Sequence, residues 1–300
     1  MKMVYDHIAT VCVCCGSQDL MRSPAILMPF IADRVYQWKP VVIDESWGLK
    51  TISSGHAYPV CNSLLCGNCK LLFLDIRFGD AEMARLYESY RGESYTVLRE
   101  SYEPGYRVRN NNLVLGVEYL DQVENFLAPH IPEVMKILDW GGGTGINTPF
   151  RRNPSNETFI YDLSGVEVEA GVRKISKYAA YQNKYDLIVC SSLLEHIPYP
   201  RNVLAEIKHV MTINSVLYIE VPLEKIVEEN HSNLDLLNKK RHWHEHINFF
   251  SERSIEEMVT SAGMHILSFR REKIWLEGNF HSQFLVACGL KESHLDLKEF

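Results

Sequence analysis

The run Ile137-Leu138-Asp139-Trp140-Gly141-Gly142-Gly143-Thr144-Gly145 constrains this 300-residue chain more than any other stretch. It joins the end of an apolar strand to an acid and to glycines spaced for a ligand loop. Glycines let the backbone approach a bound molecule and take dihedrals denied to other residues, here at an expected strand-to-helix turn whose free N–H groups point outward. The spacing excludes the dinucleotide fingerprint Gly-x-Gly-x-x-Gly. Starting from Gly141 and Gly143 the third position is Ile146, and from Gly143 and Gly145 it is Thr148. What remains is Asp-x-Gly-x-Gly-x-Gly, from Asp139 through Gly141, Gly143 and Gly145.

Around this loop the hydrophobic pattern alternates between strand and helix, as an α/β doubly wound sheet requires. Strands are expected at 134–140, 158–161, 172–175, 185–190 and 216–221. The clearest helix between them is Arg201–Met211, with Val203, Leu204, Ile207 and Val210 facing inward. A helix capped by Ser251 and closed at Gly263 follows, and strands His265–Arg270 and Ser282–Cys288 complete the sheet as an antiparallel edge hairpin. Upstream, Met83, Leu86, Tyr87 and Tyr90 share one helical face. The segment from there to Asn112 is aromatic and polar without clean periodicity, which suits a substrate-facing lid or a linker, and a helix is expected over Leu113–Leu127.

The cysteines are concentrated at the front. Cys12, Cys14, Cys15, Cys61, Cys66 and Cys69 fall in the first quarter, with Cys190 and Cys288 later. Two Cys-x-x-Cys pairs, Cys12 with Cys15 and Cys66 with Cys69, have the spacing with which zinc knuckles supply four thiolates, and four thiolates make a structural rather than a catalytic site. Cys14 and Cys61 are spare and could replace an assigned ligand. Over residues 1–75 six basic side chains are balanced by six acidic ones, and the whole chain carries a net charge of -7, so a phosphate-tracking nucleic-acid surface is not expected. Met1–His7 lacks the apolar stretch of a signal peptide, and the apolar stretch Ala25–Ala32 is broken by Pro29, which makes a cytoplasmic location, without membrane insertion, the default expectation.

Asp139 to Gly145, Asp162, Tyr185-Asp186-Leu187-Ile188-Val189 and Leu194-Glu195-His196-Ile197, in this order, resemble the class I S-adenosylmethionine-dependent methyltransferases over roughly residues 110–290. The resemblance implies a Rossmann-like sheet that binds S-adenosylmethionine. A helix N-terminus after the glycines can meet the ligand's carboxylate while Asp139, directly or through water, offsets its ammonium. Asp162, at the end of the second strand, stands where an acid accepts both ribose hydroxyls. Ser191 and Leu193 belong to the carboxyl edge of the fourth strand, where backbone can meet the methionine end. The stretch from Lys174 to Lys184 holds no acid for the adenine amino group. The front of the chain is similar to the zinc-binding leader of bacterial methyltransferases that modify sugars and natural products, including deoxysugar C-methyltransferases.

Methyl transfer to a hydroxyl or carbon acid needs alignment, exclusion of water and a base. The stretch Arg241-His242-Trp243-His244-Glu245-His246-Ile247-Asn248-Phe249-Phe250 supplies His246, His244 and Glu245 as candidate catalytic residues. It resembles the Tyr-His-Glu-His stretch of the deoxysugar enzymes, with His246 at the position of the His implicated in proton removal and Trp243 in place of the Tyr. The sequence ends soon after its last expected strand, so their further C-terminal domain is not expected. The alternation of His242, His244 and His246 equally fits one strand face or a transition-metal site.

The expected organisation is a zinc-binding leader at 1–76, a helical lid and linker at 77–130, and a small-molecule methyltransferase domain at 131–300 with an insertion at 222–250. The expected acceptor is sugar-like. A zinc-guided RNA methyltransferase and a non-catalytic, adenosylmethionine-binding partner subunit are the competing readings. Oligomeric state is not legible.

Overall fold

The computed structural model describes residues 7–113, 116–230, 232–276 and 279–291. Met1–Asp6, two residues of the expected helix Leu113–Leu127, one of the insertion at 222–250, and 292–300 lie outside the described residues.

The strands in chain order are β1 (Leu20–Leu27), β2 (Val41–Ile43), β3 (Gly55–Ala57), β4 (Val60–Cys66), β5 (Leu72–Leu74), β6 (Lys136–Trp140) and β7 (Glu157–Tyr161). They continue as β8 (Val172–Lys174), β9 (Leu187–Ser191), β10 (Val216–Leu223), β11 (His242–Trp243), β12 (Asn248–Phe249), β13 (Met264–Leu276) and β14 (Asn279–Leu290).

Seven of them form a sheet of order β13-β14-β10-β9-β6-β7-β8. The strands from β10 to β8 are parallel, and β14 and β13 close the edge as an antiparallel hairpin. This is the expected α/β doubly wound arrangement, Rossmann-like, with the strand order reversing beside β6, where such sheets bind ligands. Both faces are covered, so the central strands are continuously apolar: Leu187, Ile188, Val189 and Cys190 of β9 are all buried. Helix Leu120–Leu127 packs Val123, Phe126 and Leu127 on one face. Helices Pro200–Lys208 and Glu252–Ser261 cover the other together with Cys12, Cys66 and Cys69. Ser251 caps the last helix through the Ser254 amide at 3.1 Å.

A second sheet has the order β11-β1-β4-β5-β12, and β2 and β3 form a separate ribbon. The five-stranded sheet is built from both ends of the chain. The strands from the front are flanked by β11, parallel to β1, and by β12, antiparallel to β5, both from the 222–250 insertion. Trp243 is thereby fully buried, with its Nε1 donating to Ser63 Oγ at 2.9 Å, so the residue standing in the Tyr position of the resembled motif is part of a core.

Three local expectations are corrected. The glycine loop does not open a helix: residues 141–156 form turns, because Pro149 and Pro154 lack the N–H that a helix would use and disfavour helical conformation in the residues before them. The aperiodic segment is two helices, Glu93–Tyr102 and Tyr106–Leu113. The first hides its period because its inward face carries a charge: Arg99, 3% exposed, lies beside Tyr95 and Thr96. The helix expected over Leu113–Leu127 is confined downstream to Leu120–Leu127, after Gly116 at φ +91°.

Arg77 joins the two sheets. It is fully buried, and its guanidinium donates to the carbonyls of Leu74, Ile76, Pro198 and Ile247 and to Asn248 Oδ1 at 2.9 Å. Asn248 in turn donates to Leu194 O at 2.8 Å and Ile197 O at 2.7 Å. A lysine keeps the charge but has three donors and no planar fork. Arg77→Lys is expected to cost about 2–4 kcal/mol in urea denaturation, since several acceptors for a charged donor are left unmatched.

Candidate active site

The glycine loop is held from beneath by Asp139. Its carboxyl is 5% exposed, accepts from Thr148 Oγ1 at 2.6 Å and sits directly under Gly142, where an added Cβ would fall 2.4 Å from Asp139 Cγ. Burial pushes the Asp139 carboxyl up to about 7, against the Thr148 hydrogen bond and with the charges of Asp162 and Glu220 adding to the shift.

Gly141 has φ +84°, and a Cβ there would lie 2.9 Å from Leu193 Cδ1, so the loop and the end of β9 are in contact. Gly143 has φ +57° and faces open space, while Gly145 at φ +82° turns in against Ile160 and Val172. Asp162 ties β7 to this loop: its Oδ2 accepts from the Gly143 amide at 2.8 Å and its Oδ1 from the Ser164 amide at 2.7 Å. Oδ1 also accepts from Ser164 Oγ, so the lone pair left for a hydroxyl is on Oδ2.

These residues fit adenosylmethionine: glycines bare the backbone at the carboxyl edge, one acid lies beneath the loop and a second borders it. With no helix after Gly145, the amides available to a carboxylate are those of the turns.

At the end of β9, Ser191 Oγ donates to Glu220 Oε2 at 3.1 Å. Glu220, 2% exposed, also accepts from Tyr119 and from Tyr218 at 2.7 Å. Neither tyrosine nor the glutamate was singled out by the sequence, which gives no sign that residues 101 positions apart share a proton.

The next turn of this segment reaches the insertion. The amides of Ile247 and Asn248 both donate to Glu195 O, at 2.7 and 3.0 Å, which sets His246 against His196 with ring centroids 4.6 Å apart. His196 thus forms one cluster with Glu195 and His246. Glu224 joins them, its Oε1 2.6 Å from His246 Nδ1. Burial alone would lower His246, but the hydrogen bond and charge of Glu224, with Glu195 and Glu245, raise it to about 9. Burial pushes Glu195 up to about 8 and, with the neighbouring His246, holds His196 down at about 3.

The other two expected catalytic residues face elsewhere. Glu245 accepts from Arg99 Nη1 at 3.0 Å and from Tyr95 OH at 3.3 Å; burial would raise its carboxyl, and Arg99 instead holds it down near about 2. His244 Nδ1 lies 3.6 Å from Glu103 Oε1, and its ring meets His242 at 5.7 Å. Both tie the insertion to helix Glu93–Tyr102. Tyr87 meets the His196 ring at 5.8 Å and Tyr90 at 5.2 Å, which starts an aromatic wall on the roof of the cluster.

At the front, Cys12, Cys15, Cys66 and Cys69 each place Sγ within 4.8 Å of the others, with Cys12–Cys69 and Cys15–Cys66 both at 3.5 Å. Tetrahedral zinc with Zn–S near 2.3 Å sets sulfurs about 3.8 Å apart, so the donor set fits. Cys14 and Cys61 lie outside this tetrad, and burial pushes both thiols up. The tetrad touches the rest of the protein through Cys69 O, which accepts from Ser251 Oγ at 3.0 Å.

A family profile described as a methyltransferase domain matches residues 115–268, half of the chain. No curated protein sequence matches it. Among solved structures, an S-adenosylmethionine-dependent methyltransferase of Methanosarcina mazei is 16% identical with a TM-score of 0.41, covering 55% of this chain and 96% of its own. The 1,6-didemethyltoxoflavin-N1-methyltransferase of Burkholderia thailandensis, bound to its acceptor and S-adenosylhomocysteine, is 15% identical with a TM-score of 0.48, covering 85% of this chain and 100% of its own. A glycopeptide N-methyltransferase complexed with sinefungin is 10% identical with a TM-score of 0.43, covering 57% and 94%. Among the described residues no helix is long and apolar enough to cross a membrane. With the matched profile spanning the glycine loop, Asp162 and the end of β9, the chain belongs to the methyltransferase-domain family and is an S-adenosylmethionine-dependent methyltransferase.

Proposed function

We propose that this enzyme methylates a small, hydroxyl-rich acceptor, a sugar, nucleotide sugar or polysaccharide unit, and that deprotonation of the acceptor runs through Nε2 of His246. The observation that carries this reading is the six-residue segment Ser191–His196. Leu193 touches the glycine loop while Glu195 and His196 belong to the His246 cluster, so donor and acceptor chemistry meet on one turn. Adenosylmethionine, when bound, supplies an electrophilic methyl carbon on a sulfonium. The chain's residues have then to align the acceptor, keep water out and move one proton.

Glu224 occupies Nδ1 of His246 and leaves Nε2 for the acceptor, and because the surrounding carboxylates raise the imidazole to about 9, its base form gains as pH rises towards that value. Glu245 and His244 serve as anchors for the roof helix through Arg99 and Glu103. The sugar-like acceptor is supported by the Tyr87 and Tyr90 rings and by the Tyr87 hydroxyl, which is buried without a partner among the described residues and would be satisfied by a ligand hydroxyl. Asp139, Gly141, Gly143, Gly145, Asp162, Ser191 and Leu193 are assigned to the donor, and the cysteine tetrad to one structural zinc.

His246→Ala is expected to lower kcat by about 10²- to 10⁴-fold while leaving the Kd for adenosylmethionine unchanged. Equal loss of donor binding would remove His246 from the acceptor side. For Asp139, the unfolded carboxyl ionises near the ordinary value of about 4, whereas the folded one keeps its proton up to about 7. The folded state thus binds that proton more tightly, so the Asp139 contribution to stability falls as pH rises between those values.

An ammonium beside the carboxyl favours the ionised form. Donor binding should therefore tighten as pH rises towards about 7 and should release a proton, measurable by calorimetry in buffers of different ionisation heat. Asp139→Asn should abolish both effects, and an affinity flat with pH would contradict the assignment. Metal analysis should find one zinc per chain, and Cys66→Ser should lower Tm by about 5 °C or more.

A further inference from the structure

The proposed function leaves open how Nε2 of His246 acts on the acceptor. One potential ligand atom from each of Glu195, His196 and His246 lies within 4.8 Å of the others. Both imidazoles are held through Nδ1. That of His196 is 3.1 Å from Glu245 O, and that of His246 is 2.6 Å from Glu224 Oε1. A carbonyl on one ring and a carboxylate on the other hold Nδ1–H and leave each Nε2 as the atom a metal takes, on His246 in place of its proton, the outer arrangement that metal-binding histidines use. His196 Nε2 faces Glu195 Oε1 at 3.9 Å. Glu195 is 1% exposed, and its Oε2 has no hydrogen-bond partner among the described residues. A buried carboxyl oxygen without a donor is costly and points to a ligand.

We propose, resting on the methyl-transfer reading, that Glu195, His196 and His246 bind one divalent transition-metal ion through a Glu195 carboxylate oxygen and the two Nε2 atoms. Glu224 and the Glu245 carbonyl are its outer hydrogen-bond partners. Two imidazoles and one carboxylate suit manganese, iron, cobalt or zinc better than magnesium or calcium, and leave coordination positions open. An acceptor hydroxyl in such a position loses its proton to solvent more readily. Its oxygen lone pair then forms the C–O bond as the C–S bonding pair returns to sulfur. The site therefore selects an acceptor oxygen, and His246 acts on it as a ligand of the ion. Thiolates are absent from this set, which separates it chemically from the cysteine tetrad.

Mn²⁺ is the probe, added to the full-length chain with its zinc retained and followed by electron paramagnetic resonance. One Mn²⁺ per chain is expected, with electron spin-echo modulation from two imidazole nitrogens. Glu195→Gln and His246→Ala should each weaken binding by about tenfold or more, and Glu224→Ala, which removes only the outer partner of His246, by about tenfold. No stoichiometric binding at millimolar Mn²⁺, binding without nitrogen modulation, or affinity unchanged in both ligand variants would overturn the site. If a variant fails to fold, the nitrogen modulation of the unaltered chain decides alone. Donor calorimetry on the same samples separates the two readings: adenosylmethionine binding without Mn²⁺ binding rejects the metal and leaves the methyltransferase reading standing, whereas loss of donor binding rejects the latter.

Discussion

The buried Arg77 guanidinium is the joint on which the site's geometry rests. A charge removed from water is tolerable when every N–H finds an acceptor, and here the acceptors come from three separate stretches: Leu74 ending β5 with Ile76 just after it, Pro198 beyond β9, and Ile247 with Asn248 in the insertion. Asn248 passes the constraint on to Leu194 and Ile197. His246 is two residues from Asn248, and His196 lies between Leu194 and Ile197, so one satisfied guanidinium fixes the distance between the two halves of the histidine cluster.

Much of the methyltransferase sheet was legible in the sequence because its signals are local. β6, β7, β9 and β10 are apolar runs between turn residues, and the glycine spacing marks the switch point. The fold class followed from these. The roof was not legible. Helix Glu93–Tyr102 presents Arg99 inward, and a buried charge breaks an apolar period unless its partner is known; that partner, Glu245, is 146 residues away. The same holds within the site. His246 could be picked out from the insertion, but Glu224, His196 and Glu195 gain their meaning from a contact made through Asn248. The helix expected after the glycines shows the converse: a motif carried the expectation, and two prolines on the page opposed it.

Electrostatically, burial holds three acids of the site towards their neutral forms, whereas His246 and Arg99 keep Glu224 and Glu245 ionised. Desolvation raises Asp139 beneath the donor loop, Glu220 beside Ser191 and Glu195 in the histidine cluster. A bound cation draws such acids towards ionisation, so the cleft favours a donor carrying an ammonium and a sulfonium, and less so once the methyl group has left and the sulfur is neutral. The difference favours the donor over its product, which keeps the ammonium and carboxylate but has lost the sulfonium charge.

The five-stranded sheet has a consequence for how the chain is made. β1 and β5 are complete early in synthesis, yet the strands that cover their outer edges, β11 and β12, are about 170 to 215 residues further on. Until those emerge, the front of the chain exposes two unpaired edges beside an apolar core, which are templates for association with other chains. A gene fragment encoding the cysteine-rich front alone would carry both edges permanently. Closing such long loops is slow, so the yield of active enzyme should depend on how the nascent chain is shielded during the interval before Phe249 is translated.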